Sequence, residues 1–186
     1  STGATLNVTN LGLVGSSIRG SGASDIISLN ATNLAIQQDA GSFYLFLNDT
    51  GGGLNIVNSI TGLTQTATTG GTPSEFDITA SGGGDLTIGT ALSGNFGYIR
   101  ADGNVTLQAD LNITDQFLII ADNDNNGVGG IIQTAGTVTT DALGLSAGLN
   151  GIGSAGFLTN GLQVNTRELA IGLPTGGLPR INRVGN

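Results

Sequence analysis

The chain of 186 residues is long enough for one domain, but its 33 glycines and six phenylalanines predict a thin core. Because cysteine, histidine and lysine are all absent, disulfides, thiolate chemistry, the commonest general base and Schiff-base catalysis are excluded. We therefore expect no enzyme and no required cofactor. A formal charge of −8 makes nucleic acid an unfavourable partner, because nucleic acid is bound mainly through basic side chains.

Short strand patterns recur along the whole chain, whereas helix patterns are weak. The strand patterns alternate or run apolar and are separated by Gly, Asn and Asp turns. In chain order they cover 6–10, 43–47, 54–57, 76–80, 85–89, 98–101, 104–109, 117–121, 130–135 and 162–166. These patterns predict an all-β protein.

The strand patterns repeat at a nearly constant interval. Phe76, Phe96 and Phe117 lie 20 and 21 residues apart, and Phe157 follows 40 residues later. Each of the first three units also places an isoleucine and then an alanine before a polar turn. A repeat of about 20 residues with two or three short strands is typical of one coil of a parallel β-helix, or β-solenoid, in which equivalent residues form ladders. A β-sandwich, which also uses short strands and glycine turns, is the alternative fold.

The units DLTIGTALSGNFGYIRADGNVTLQADLNITDQFLIIADNDNNGVGG (85–130) resemble the repeat region of filamentous-haemagglutinin-like exoproteins, the large bacterial adhesins of two-partner secretion. The resemblance covers roughly residues 50–170. It implies a right-handed β-helix, export to the bacterial cell surface, and a role in adhesion, aggregation or biofilm. The Asn-Pro-Asn signatures of the family's N-terminal secretion domain are absent from this sequence.

The predicted organisation is one solenoid domain over 1–186. Within it, 1–50 would form N-terminal coils or a cap, 51–166 the regular coils, and 167–186 a C-terminal extension or cap. This last segment is net positive, with Arg167, Arg180 and Arg183 against Glu168. No apolar run approaches the roughly 20 residues of a membrane helix, so we expect no transmembrane segment. The Ser-Thr-Gly start, without Met or a signal peptide, is interpreted as a processed chain or a segment of a longer protein.

One stretch, ADNDNNGVGG (121–130), has the spacing of the first half of a calcium loop. Calcium prefers six to eight oxygen ligands, and Asp122, Asp124 and Asn126 supply side-chain oxygens at alternate positions before a glycine. The position of the usual bidentate Glu is Gln133, which brings no charge. The hypothesis is a calcium ion that staples this turn, and the alternative is a solvated corner with an Asn and Asp ladder.

A second candidate site lies along the expected strand 98–102. Side chains at alternate positions of a strand share a face, so Tyr98, Arg100 and Asp102 are expected to form one surface that contacts a sugar. The alternative is an ordinary exposed ion pair beside a tyrosine. Asp110 and Asp115 were weighed as a carboxylate pair for glycoside hydrolysis, but the missing His and Lys argue against an enzyme.

The function expected from these observations is that of an extracellular structural or adhesive surface protein of a bacterium. A solenoid has open ends, and uncovered strand edges pair with another chain. We therefore expect a stiff rod that assembles head to tail into a fibre or forms part of a longer adhesin, with surface glycans as further partners. A carbohydrate-binding module is the alternative function, and a polysaccharide-degrading enzyme is less favoured.

Overall fold

The computed structural model describes residues 4–15, 18–19, 26–38, 44–58, 75–153, 161–173, 179 and 181–184. These residues form a β-solenoid of about six turns, with equivalent positions about 23 residues apart. All its strands belong to one parallel sheet, and the described residues contain no helix. The strands are β1 (Leu6–Gly15), β2 (Ile27–Gln38), β3 (Tyr44–Asp49), β4 (Gly53–Ile56), β5 (Glu75–Ala80), β6 (Asp85–Ile88), β7 (Leu92–Ala101), β8 (Val105–Leu107), β9 (Leu111–Ala121), β10 (Gly130–Gln133), β11 (Val138–Ser146), β12 (Gly151–Ile152), β13 (Leu162–Gly172) and β14 (Ile181–Arg183).

Each strand pairs with the equivalent strand one coil away, and in the middle of the stack, from β4 to β12, this partner is never its neighbour in sequence. Thus β5 pairs with β7, and β6 pairs with β8. Parallel pairing needs a long connection between partners, and here the remainder of the coil supplies it. The predicted parallel β-helix is therefore confirmed, and the β-sandwich alternative is excluded. The right-handed coil sense stays a prediction.

The stack has three flanks. Flank A consists of β3, β5 and the second halves of the long strands β7, β9, β11 and β13. Flank B consists of β4, β6, β8, β10 and β12. Flank C consists of the first halves of β7, β9, β11 and β13, together with β14. The strands β1 to β3, which lie within 1–50, belong to the same sheet as the later coils.

The core is a column of ladders inside the three flanks. Alternate residues of each strand point inward, as the pattern of half-buried and buried positions along β5 shows. One inward ladder on flank A confirms the isoleucine repeat expected from the sequence: Leu47, Ile78, Ile99, Ile119 and Leu145. All of these side chains are buried.

The expected phenylalanine ladder is wrong at its middle member. Phe76 aligns with Gly97, which in turn aligns with Phe117, whereas Phe96 aligns with Glu75 and Gln116. A register shift between Gly94 and Phe96 accompanies this offset. Because side chains alternate along a strand, an offset of one residue turns Phe96 outward, where it is 37% exposed. Phe157 lies outside the described residues.

Gly97 leaves the space in which the two buried phenylalanines meet. The rings of Phe76 and Phe117, which belong to coils on either side of Gly97, have their centroids only 5.9 Å apart and meet edge to face. A Cβ atom at position 97 would overlap with the Phe76 ring. The ladder is therefore aromatic, glycine, aromatic, and the missing side chain is part of the packing.

Candidate functional site

The outer surface of flank A holds two of the three residues expected to contact a ligand. Tyr98 and Arg100 point outward from β7 and are half-buried, between the inward Gly97, Ile99 and Ala101. The guanidinium carbon of Arg100 lies 5.1 Å from the centroid of the Tyr98 ring. This is within the range of a cation–π contact.

Arg100 is also held by a carboxylate of the preceding coil. Its Nη1 donates to both carboxylate oxygens of Asp77, at 3.0 Å and 2.8 Å. Both side chains are partly buried. The guanidinium is thereby fixed between Asp77 and the Tyr98 ring, and its charge is already paired.

Asp102 is not part of this surface. The strand ends at Ala101, so the alternation that would have placed Asp102 beside Arg100 ends there. Asp102 is buried in the corner, where its carboxylate accepts hydrogen bonds from the backbone N–H of Gly83 at 3.2 Å and from the Asn123 side-chain amide at 3.3 Å. The structure therefore brings together Tyr98 and Arg100 and separates Asp102 from them.

A shallow recess of about 380 Å³ borders Tyr98 on the same flank. Its floor is formed by small outward positions of the following coils, Ala142, Gly144 and Ala170, and its wall by Tyr98 and Leu118. The ladder through Tyr98 and Leu118 continues to Gly144 and Ala170, so bulky side chains give way to small ones. This recess is a mainly apolar concave surface next to the expected ligand contact.

The candidate calcium loop satisfies its polar groups internally. Asp122 Oδ1 accepts the backbone N–H of Gly127 at 2.9 Å, and Asp124 Oδ2 accepts the Asn126 side-chain amide at 2.8 Å. Asn126 Oδ1 accepts the backbone N–H of Val128 at 2.8 Å. In the part of the chain that the structure describes, no three acidic residues are grouped to hold a metal ion. The calcium site stays a prediction.

Aspartates at the corners have a role that the sequence analysis did not identify. Asp49 is fully buried, and its two oxygens accept the backbone N–H groups of Ala31 at 2.8 Å and Gly51 at 3.1 Å. The same type of bond, from aspartate to a backbone N–H, recurs at Asp85, Asp102, Asp110 and Asp122. An aspartate at the boundary between an apolar strand pattern and a turn is the signal that would have indicated this role. Asp110, one of the two carboxylates weighed for hydrolysis, is therefore a structural acceptor.

Core positions are exposed at both ends of the stack. At the first coil, the inward positions Leu6 and Val8 of β1 are 46% and 40% exposed. At the last coil of flank A, the inward positions Leu169 and Ile171 of β13 are 42% and 41% exposed, although their ladder partners one coil earlier are buried. A further coil stacked on either end would extend the inward ladders over these four side chains.

No helix among the described residues is long and apolar enough to cross a membrane. A scan against protein-family models finds no match to this chain, and searches of curated proteins and of solved structures find no significant match either.

Proposed function

We propose that this protein is an extracellular structural and adhesive rod without catalytic activity, of the filamentous-haemagglutinin-like kind. Its end coils stack head to tail on another copy or on further coils of a longer chain. The observation that supports this proposal is the exposure of inward apolar positions at both ends, Leu6 and Val8 at one and Leu169 and Ile171 at the other. Covering them with another coil would remove apolar surface from water.

The direction of the strands favours head-to-tail contact. Every described strand pair is parallel, so the first strand of one copy placed on the last strand of another continues the parallel ladder. Two identical ends brought together would instead meet with antiparallel strands. A head-to-tail contact uses two different surfaces and does not close on itself, so it leads to filaments.

The test of assembly is a charged substitution at the exposed core positions. The double variant Leu169→Asp and Ile171→Asp places two carboxylates in the stacking interface. The matched control, Ala170→Asp and Gly172→Asp, adds the same charge to outward positions of the same strand. We expect electron microscopy and sedimentation to show filaments for the natural chain and the control at high concentration, and single rods for the core variant. Single rods of the natural chain at every concentration would contradict self-assembly and favour coils within a longer chain.

A carbohydrate-binding module is the second candidate function, favoured by the recess beside Tyr98. In this hypothesis the tyrosine ring and Leu118 contact the apolar face of a sugar. Tyr98→Ala would then abolish saturable glycan binding while leaving assembly unchanged. Glycan binding that persists in Tyr98→Ala would exclude this recess as the sugar site.

A further inference from the structure

A polar groove of about 590 Å³ runs over the outer surface of flank C. It crosses neighbouring coils near the C-terminal end of the stack. Its centre is a ladder of three outward side chains, Asn112, Thr139 and Asn165, which are aligned by the parallel register of β9, β11 and β13. Arg167 and Arg183 lie at the end of the groove.

The polar groups of this ladder are available to a ligand. Elsewhere in the stack, outward asparagines bond to one another, as Asn33 does when its amide donates to Asn10 Oδ1 at 2.8 Å. By contrast, the side chains of Asn112, Thr139 and Asn165 make no hydrogen bond to any residue that the structure describes. Three adjacent coils thus present unused donors and acceptors at the ~4.8 Å spacing of paired strands.

The charge at the end of the groove is opposite to that of the whole chain, which is −8. The exposed Arg183 has no ion-pair partner within the described ranges. Arg167 donates to Asp141 at 2.7 Å, but its side chain is 71% exposed, and such an exposed pair is weak and easily exchanged. Glu168 Oε1 also lies 3.9 Å from the Arg167 guanidinium. Among the residues that line the groove, two guanidinium groups therefore stand against the single carboxylate of Asp141.

We propose that this groove binds an acidic saccharide, a sugar chain that carries carboxylate groups. The carboxylate lies on Arg183 and Arg167, because the planar guanidinium group matches the geometry of a carboxylate. The sugar hydroxyls bond to the amides and the hydroxyl of the ladder formed by Asn112, Thr139 and Asn165. An elongated ligand fits better than a small anion, because the unused polar groups extend over three coils. This inference names a partner for the adhesive part of the proposed function, on which it rests, and is independent of end-to-end stacking.

The experiment measures binding of oligogalacturonate by titration calorimetry at low salt, with its methyl ester as the uncharged control ligand. We expect the acid to bind and the ester to bind at least tenfold more weakly. Arg183→Gln should weaken binding about tenfold, since it removes one charge-assisted hydrogen bond. Arg19→Gln, which makes the same change of charge near the other end of the stack, is the matched control and should leave binding unchanged.

A gain of affinity provides the sharpest test, because misfolding cannot produce it. Asp141→Asn removes the repelling carboxylate of the groove and leaves Arg167 only the longer, 3.9 Å contact with Glu168, so we expect it to strengthen binding of the acid severalfold. Tyr98→Ala should have no effect, in contrast to a sugar site at the recess. Equal binding of the ester, equal losses in Arg19→Gln and Arg183→Gln, or no binding of the acid would each overturn the proposal.

The failure of this proposal is distinguishable from failure of the rod. The variant Leu6→Asp and Val8→Asp changes the exposed core positions at the opposite end of the stack and should bind oligogalacturonate as the natural chain does, although it no longer assembles. If the chain forms filaments but does not bind the acid, the structural function is retained and only the proposal of a saccharide site in the groove is rejected.

Discussion

The two outer phenylalanines of the repeat occupy different environments from the middle one. Phe117 is buried against Phe76, whereas Phe96 is more than a third exposed on the outer surface. Truncating a buried aromatic residue removes transfer free energy and leaves a cavity, and the stack has little freedom to collapse around it. Truncation of these phenylalanines should therefore change the free energy of unfolding by different amounts, although the three positions look equivalent in the sequence.

Phe117→Ala should lower the free energy of unfolding by about 3–5 kcal/mol. Phe96→Ala, the matched control, should lower it by only about 1 kcal/mol, because the Phe96 ring lies on the outer surface, where it is 37% exposed, and its removal leaves no enclosed cavity. Urea unfolding followed by circular dichroism measures both. Equal losses in the two variants would mean that the register of flank A is different from the one described.

Sequence periodicity predicted the ladders but not their register. The isoleucine ladder through Ile78, Ile99 and Ile119 was found because its members keep the same phase. The phenylalanine ladder was misassigned at Phe96 because intervals of 20 and 21 residues do not reveal a register shift of one position. Nothing in the sequence alone indicates that Gly97, rather than an aromatic residue, stands between two buried rings.

One residue of the expected ligand surface, Asp102, was misplaced for a similar local reason. Alternation placed Asp102 beside Arg100, but alternation holds only within a strand, and β7 ends at Ala101. The ion pair of Arg100 with Asp77 was also not foreseen, since its two residues are 23 positions apart in sequence. Such contacts between coils follow from the length of each coil, and this length varies from turn to turn.

At the scale of elements, β11 and β13 bend in the same way between flanks C and A. In β11 the buried Thr140 donates to the backbone oxygen of Asp115 in the preceding coil, at 3.1 Å. In β13 the hydroxyl of the aligned Thr166 lies 3.0 Å from the carbonyl oxygen of Asp141 in the preceding coil and 2.8 Å from that of Glu168, and it donates to this pair of acceptors. A hydroxyl group at the bend thus provides a hydrogen bond to a carbonyl where the regular ladder is shifted.

Thr140→Val replaces the hydroxyl by a methyl group of similar shape, and we expect a loss of about 1–3 kcal/mol in stability because the Asp115 carbonyl loses a partner. Thr139→Val is the matched control one position earlier, where the outward hydroxyl has no bond to a described residue. Its effect should stay within about 0.5 kcal/mol. Thermal unfolding of both variants measures the difference. A smaller loss for Thr140→Val than for Thr139→Val would show that the bend does not depend on this hydrogen bond.

At the scale of the whole molecule, each coil pairs its strands only with those of the coils before and after it. The stability of such a stack is approximately the sum of the coils and of the interfaces between them, so the ends open first. The central strands β7 and β9 have partners on both sides, whereas β1 and the second half of β13 have one described partner each. The exposed core positions lie on the same two end strands, so fraying and assembly involve the same surfaces.

Hydrogen exchange of the backbone amides can measure both the fraying of the end strands and their protection by assembly. In dilute solution we expect protection to be greatest in β7 and β9 and to decrease toward β1 and the second half of β13. At concentrations at which filaments form, the end strands should become protected, because each then gains a parallel partner from another copy. The variant Leu169→Asp and Ile171→Asp provides the control, since its end strands should exchange rapidly at every concentration. Uniform protection from β1 to β13 in dilute solution would contradict fraying from the ends and would mean that the described coils open as one cooperative unit.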